Sequence, residues 1–273
     1  MILHDLPDEA YHARPDLSST GARLLLPEFG GSPAKFIWDK QHPRTTTKSY
    51  DVGHAVHAKV LGTGLQAVAY PDDVLASNGA ASTKAAKEWA DEQRALGFVP
   101  MKAVEVAVVN RIAEAVLANQ DARDVLEAPH RETSIFTTSP EGVPVRARFD
   151  IYGTRAGDLK TCQDASPRGF LKHVIDYGYF FQEGWYRDAH LWETGEELES
   201  FRFIAAETTG PYQVAVHELD IVFRDIAKDL TRRARDVYTE CVQSGVWPGV
   251  DGELLAPPTW MVYQHEEEQE IRI

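Results

Sequence analysis

The sequence predicts an α/β chain of the α+β kind, a central mixed β-sheet flanked by helices with helical additions before and after it. Three observations carry this. Apolar residues recur at helical spacing through much of positions 1–130. From 133 to 161 the pattern changes to period-two alternation broken by short Pro- and Gly-containing turns. A long helical stretch then precedes two more strand-like runs, which places helices and a sheet in one layered unit.

Taken in order, LSSTGARLLL opens on Ser18, Ser19 and Thr20, good N-caps, and reads as a short helix ending near Pro27. SPAKFIWDKQ reads as a second short helix, and the polar stretch Thr45 to Ser49 as a loop. Asp51 to Leu61 has Val52, Val56 and Val60 on one helical face. SNGAASTKAAKEWADEQRALG is a helix with one weakly buried face or a mobile region, and Met101 to Leu126 is a stronger amphipathic helix. Thr133 to Thr138 is a strand. Val143 to Tyr152 alternates, with Val143, Val145, Ala147 and Phe149 on one side and Arg146, Arg148 and Asp150 on the other. Gly157 to Thr161 is a short strand, Pro167 to Trp192 a long helix, Phe201 to Ala206 and Gln213 to His217 strands, and Leu219 to Gly245 a final long helix. The 273 residues fit one elaborated domain. It divides into a mainly helical part (1–130), a core (131–218), a helix with its extension (219–263) and an acidic tail (264–273).

Composition excludes several classes. No stretch approaches the roughly 20 apolar residues of a membrane helix, and the N-terminus lacks the basic-then-apolar order of a signal peptide, so a cytoplasmic protein without membrane association is expected. Two cysteines, Cys162 and Cys241, fit a reducing compartment and cannot build a four-cysteine zinc or iron–sulfur site. No G-x-x-x-x-G-K-[ST] occurs, so no ATP use is expected. The net charge of −14 argues against a general nucleic-acid binder. Charge is a global sum, however, and the stretch from Arg224 to Arg235 is locally basic.

Chemistry concentrates at Asp150 and Asp158-Leu159-Lys160. A short turn joins their strands, so these should be antiparallel neighbours, and Asp158 and Lys160 share a sheet face. Two carboxylates and an ammonium would then converge. Mg²⁺, with Mn²⁺ as a substitute, takes carboxylates, waters and phosphate oxygens; phosphodiester hydrolysis needs an activated water and an offset to transition-state charge. Asp150 and Asp158 would hold metal, the Leu159 carbonyl would add a ligand, and Lys160 would orient or help deprotonate the water. A salt bridge on a hairpin is the plain alternative. Gln182 and Tyr186 share a helix face and touch phosphate, steady Lys160 or mark a core boundary. His57 is a further metal ligand or a satisfied boundary histidine, with His54 its local competitor. Glu132 is an acidic ligand or a strand-edge charge.

Five segments then stand in one order: GHAVHAKVL, RETSIFTT, VRARFDIY, GDLKTCQDAS and YGYFFQEGWYRDA. Together, from about Tyr11 to His190, they resemble the PD-(D/E)XK nuclease superfamily, and most nearly its exodeoxyribonuclease VIII (RecE-type) branch with the lambda-exonuclease and RecB-type relatives. The resemblance implies a restriction-endonuclease-like core, metal binding by His57 and Asp150, Asp158 and Lys160 as the (D/E)xK element, and Gln182 and Tyr186 as the QxxxY helix. It implies Mg²⁺-dependent digestion of linear double-stranded DNA from the 5′ end without ATP, in phage or prophage recombination or repair. A homo-oligomeric ring and a single-strand annealing partner go with that reading. Cys162 stands where a second Thr is more usual, and the four cysteines of the iron–sulfur branch are missing.

Remaining features have two readings each. Ser18 and Ser19 either meet phosphate or cap a helix; Phe36 and Trp38 stack on a base or pack in the core; Arg232 and Arg233 line a DNA channel or form a solvated face; Lys84 and Lys87 contact DNA if their segment is a mobile arm. Two alternative functions stand beside the exonuclease: an endonuclease or single-strand-specific nuclease of the same superfamily, and a catalytically silent protein that binds DNA or a recombination partner.

Overall fold

The computed structural model describes residues 1–42, 52–252 and 255–270, with side chains described up to 265. The expected loop from Thr45 to Ser49 lies outside these residues, as do Asp51 and the last three positions.

Strand β1 (Ile2–Leu3) and helix α1 (Asp8–His12) lead to strand β2 (Leu17–Ser18) and helix α2 (Ser19–Arg23). Ser18 caps α2 by accepting from the Gly21 N–H at 3.2 Å. Then come α3 (Pro33–Gln41), α4 (Val52–Leu61), β3 (Gln66–Ala69), α5 (Lys84–Ala95), β4 (Phe98–Met101), α6 (Ala103–Ala118) and α7 (Gln120–Leu126). The central strands are β5 (His130–Thr138), β6 (Pro144–Tyr152) and β7 (Arg155–Cys162), followed by α8 (Pro167–Asp176) and α9 (Tyr179–Thr194). Strands β8 (Ser200–Glu207) and β9 (Val214–Glu218) and helices α10 (Ile221–Ser244) and α11 (Thr259–Glu270) complete the chain. No helix among the described residues is long and apolar enough to cross a membrane.

The principal sheet is mixed, in the order β1-β5-β6-β7-β8-β9, with β2 added parallel on β6. β5, β6 and β7 form an antiparallel meander. The α8–α9 crossover returns β8 parallel to β7. One face packs Phe149, Phe201 and Phe203 against Trp185 and Tyr186 of α9 and Ala227 and Leu230 of α10. The other packs Ile151, Leu159 and Ile204 against Val56, Ile112 and Val125 from α4, α6 and α7. Burial in β6 follows the alternation of the sequence: Val145, Ala147, Phe149 and Ile151 are buried, while Arg146, Arg148 and Asp150 are half-buried.

Two expected helices are broken, and two regions carry more structure than the sequence marks. The single helix over Met101 to Leu126 is a strand end and two helices, because Asn119 adopts an extended backbone, accepts from Ala122 N–H at 2.9 Å to cap α7, and donates to the Val214 carbonyl at 3.1 Å. The helix over Pro167 to Trp192 breaks at Gly178, whose φ of 66° suits a residue without Cβ. The N-terminal part is mainly helical, as expected, but also carries four short strands among its described residues. β1 and β2 join the main sheet and β3 pairs with β4, strands too short or too distant from their partners for alternation to reveal them. The acidic run after Gln264, expected as a tail, is helical to Glu270, in keeping with the helix propensity of Glu and Gln.

Candidate active site

The site forms where β6 stops sharing an edge. β2 pairs with β6 at Val145 and Arg146, and β7 pairs with it at Ile151 and Gly157. One step beyond that last pair the two strands carry Asp150 and Asp158. The Asp150 side chain replaces the missing ladder bond: its Oδ2 accepts the Leu159 N–H at 2.9 Å. The alternation of β7 sends Leu159 into one core and Asp158 and Lys160 toward α9.

Asp158 is almost fully buried. Its Oδ1 accepts from Gln182 Nε2 at 2.6 Å, and its Oδ2 lies 2.6 Å from Lys160 Nζ. Burial alone would lower the pKa of Lys160, but the carboxylates of Asp158 and Asp150 outweigh it and hold the ammonium charged. The Nζ also sits 4.7 Å from the centre of the Tyr179 ring. Tyr186, one turn beyond Gln182, is buried against Phe149; burial drives its hydroxyl well above the ordinary tyrosine value, against the opposing pull of its hydrogen bond to Gln182. It stays a neutral phenol.

On the other side of Asp150, His57 of α4 donates from Nε2 to the Leu159 carbonyl, and its Nδ1 is 3.4 Å from Asp150 Oδ2. Glu132 of β5 completes the group. Ligand atoms of His57, Glu132 and Asp150 all lie within 4.8 Å of one another, the only such cluster among the described residues. Glu132 has a φ of 47°, a left-handed backbone that costs a residue with a Cβ about 1–3 kcal/mol. Arg148 Nε donates to its Oε2 at 2.7 Å, and Arg148 Nη2 is itself held by the Leu6 carbonyl at 2.9 Å. Burial first, then repulsion from Asp158, pushes Asp150 up to about 7.

One imidazole, two carboxylates and a nearby backbone carbonyl suit a hard or borderline divalent cation. Asp158 falls outside the group of three, engaged instead with Gln182 and Lys160. The Leu159 carbonyl is at the site, in contact with His57.

Ser19 lines a cavity with Lys160, Gln182 and Arg23, whereas Ser18 spends its hydroxyl on the α2 cap. Arg232 pairs with Asp229 and Asp236 on its own helix and Arg233 with Glu28; neither lines the cavities beside Lys160. Phe36 is buried and stacks on Trp247, while Trp38 is exposed and stacks on His42. Lys84 pairs with Glu88 on α5. Sequence reasoning missed two supporting residues. Arg148 had a signal, since it lies two positions before Asp150 on the same face. Tyr179 had none, because its meeting with Lys160 depends on the turn at Gly178.

Comparison with known proteins adds three findings. Residues 25–254 match the family model described as PDDEXK-like domain of unknown function (DUF3799). A candidate exonuclease from Eubacterium rectale superposes with a TM-score of 0.61 at 14% identity, over 95% of this chain and 98% of that one, which shows a shared fold. LHK-Exo, in complex with dAMP, aligns over 70% of this chain and 91% of its own at 14% identity, with a TM-score of only 0.25. No curated protein matches.

Proposed function

Because the chain belongs to the PDDEXK-like domain family and carries that family's restriction-endonuclease-like fold, we propose that it is a divalent-metal-dependent nuclease acting on linear double-stranded DNA. In this reading it is an exonuclease that digests 5′→3′ without ATP, in recombination or repair. The observation that carries the proposal is the meeting of His57, Glu132 and Asp150 within 4.8 Å, beside the Asp158–Lys160–Gln182 chain.

His57, Glu132 and Asp150 would hold Mg²⁺ or Mn²⁺, with the Leu159 carbonyl beside them and Asp158, engaged with Gln182 and Lys160, next to the group. A bound divalent cation supplies Lewis-acid polarisation of the phosphate and a more acidic water. Lys160, held charged, orients the attacking water and offsets negative charge as the phosphorane-like transition state forms. Without a cation both carboxylates favour its ammonium form, so any help in deprotonating the water would follow metal binding. Gln182 fixes Asp158 and, through it, the lysine. Tyr186 donates or accepts as a neutral phenol at the floor of the Lys160 cavity.

On resemblance alone, the proposal extends to a ring-shaped homo-oligomer and a single-strand annealing partner in phage-type recombination. Incubating linear and covalently closed circular duplexes with Mg²⁺ tests the exonuclease reading. Loss of linear DNA with intact circles supports it. Nicked circles point to an endonuclease, and binding without cleavage to a silent nuclease-fold protein.

A further inference from the structure

The structure holds an aromatic stack that runs out of the core beside Lys160 and ends on the half-exposed ring of Tyr177. Phe203 of β8 is fully buried and stacks on Tyr179 at 5.9 Å and 22°. Tyr179 stacks in turn on Tyr177 at 5.7 Å and 30°. Gly178 lies between the two tyrosines in the left-handed conformation, and a Cβ there would meet Phe29 Cε1 at 2.9 Å and Arg23 Cδ at 3.0 Å. This turn puts both rings into one column. Tyr177 is 53% exposed, with the His173 ring tilted against it at 5.3 Å.

The column divides two cavities and lines both. One, of about 370 Å³, contains Lys160, Gln182 and Arg23. The other, of about 590 Å³, contains Asp164, Lys172, His173 and Asp176. A strand with its phosphate at Lys160 would meet Tyr179, whose ring lies 4.7 Å from the Nζ, with Tyr177 stacked next to it at 5.7 Å. Carboxylates of Asp164 and Asp176 in the larger cavity disfavour a second phosphate, but they offer acceptors to the amino group of a base. Lys172 and His173 supply donors.

We propose that Tyr177 is a stacking platform for the nucleobase next to the scissile phosphate, and that the larger cavity receives this base. The proposal rests on the nuclease reading and adds a subsite to it. An exposed tyrosine that merely closes α8 would be indifferent to nucleic acid; one that carries a base is not.

The test is fluorescence anisotropy of a labelled duplex with a short single-stranded overhang, in EDTA to prevent cleavage. Wild type is compared with Tyr177→Ala, Tyr177→Phe and Tyr177→Trp, each checked for an unchanged melting temperature. A second probe carries abasic sites in the overhang. Alanine should weaken binding about five- to hundredfold, the range of one lost base stack, while Phe and Trp preserve it. The abasic probe should bind wild type more weakly than the intact probe and make no difference to Tyr177→Ala. Equal binding by wild type and Tyr177→Ala, or an equal abasic loss in both, would overturn the proposal. Cleavage by wild type in Mg²⁺ separates the two readings. If wild type cleaves while Tyr177→Ala binds normally, stacking alone fails. If wild type neither binds nor cleaves, the nuclease reading falls and stacking falls with it.

Discussion

The carboxyl of Asp150 is pushed up to about 7 by burial and by the facing Asp158 carboxylate, and this makes metal affinity depend on pH. A cation must displace the proton from Asp150 before it binds. With a value near 7, roughly one-tenth of the sites are ionised at pH 6 and roughly nine-tenths at pH 8, so apparent affinity should rise about tenfold, or ~1.4 kcal/mol. An ordinary aspartate, at about 3.9, is ionised at both and adds nothing to the rise; because an imidazole ligand must itself be neutral to bind a cation, the comparison is made in a His57→Gln variant. Calorimetric titration with Mn²⁺, without DNA, reads the affinity. Repeating it in buffers of different ionisation enthalpy counts the protons released, close to one per cation at pH 6 and close to none at pH 8. The sign for stability follows from the same shift. The native state holds a proton that the unfolded chain has lost between about pH 4 and 7, so the metal-free protein loses stability as pH rises through that window. Equal affinity at pH 6 and pH 8 without proton release would refute the reasoning.

Other consequences are simpler. Lys160→Ala should bind Mn²⁺ as wild type does, since the lysine is no ligand, but lose about 10²–10³-fold in turnover, the range for removing one transition-state donor; lost metal binding in calorimetry would contradict its role. Arg148→Gln removes the 2.7 Å contact that holds Glu132 in its left-handed conformation, and should weaken Mn²⁺ binding and cost about 1–3 kcal/mol in urea unfolding; unchanged values in both would show that Glu132 is set by other means. Gly184 lets α9 approach α10, where an added Cβ would lie 2.7 Å from Ala227 Cβ, so Gly184→Val should destabilise the fold by about 1–3 kcal/mol in the same assay.

The sequence shows the middle of this protein better than its beginning. Alternation from Val145 to Ile151 and the short turn before Gly157 mark an antiparallel pair, and the observed register carries Asp150 to Asp158. The spacing of Gln182 and Tyr186 places them on one face, and α9 brings that face to Asp158. Elements that depend on distant partners leave weaker marks. β2 is two residues long and exists because β6 has a free edge there. The break at Asn119 reflects a bond to the Val214 carbonyl, 95 positions away. Within the site, sequence spacing grouped the two aspartates as ligands. The fold sets His57 and Glu132, which the sequence also offered as ligands, around Asp150, and engages Asp158 with Lys160 and Gln182. The acidic net charge spoke against DNA, but it is a sum that does not describe the ammonium and guanidinium groups of Lys160 and Arg23 lining one cavity.

Digestion of an end-labelled linear duplex with Mg²⁺, by wild type and by Asp158→Ala in parallel, tests the central claim most directly. Release of labelled product by wild type and its near-complete loss in the variant is the predicted result. Equal release by both would remove Asp158, and the lysine it holds, from the chemistry of this protein.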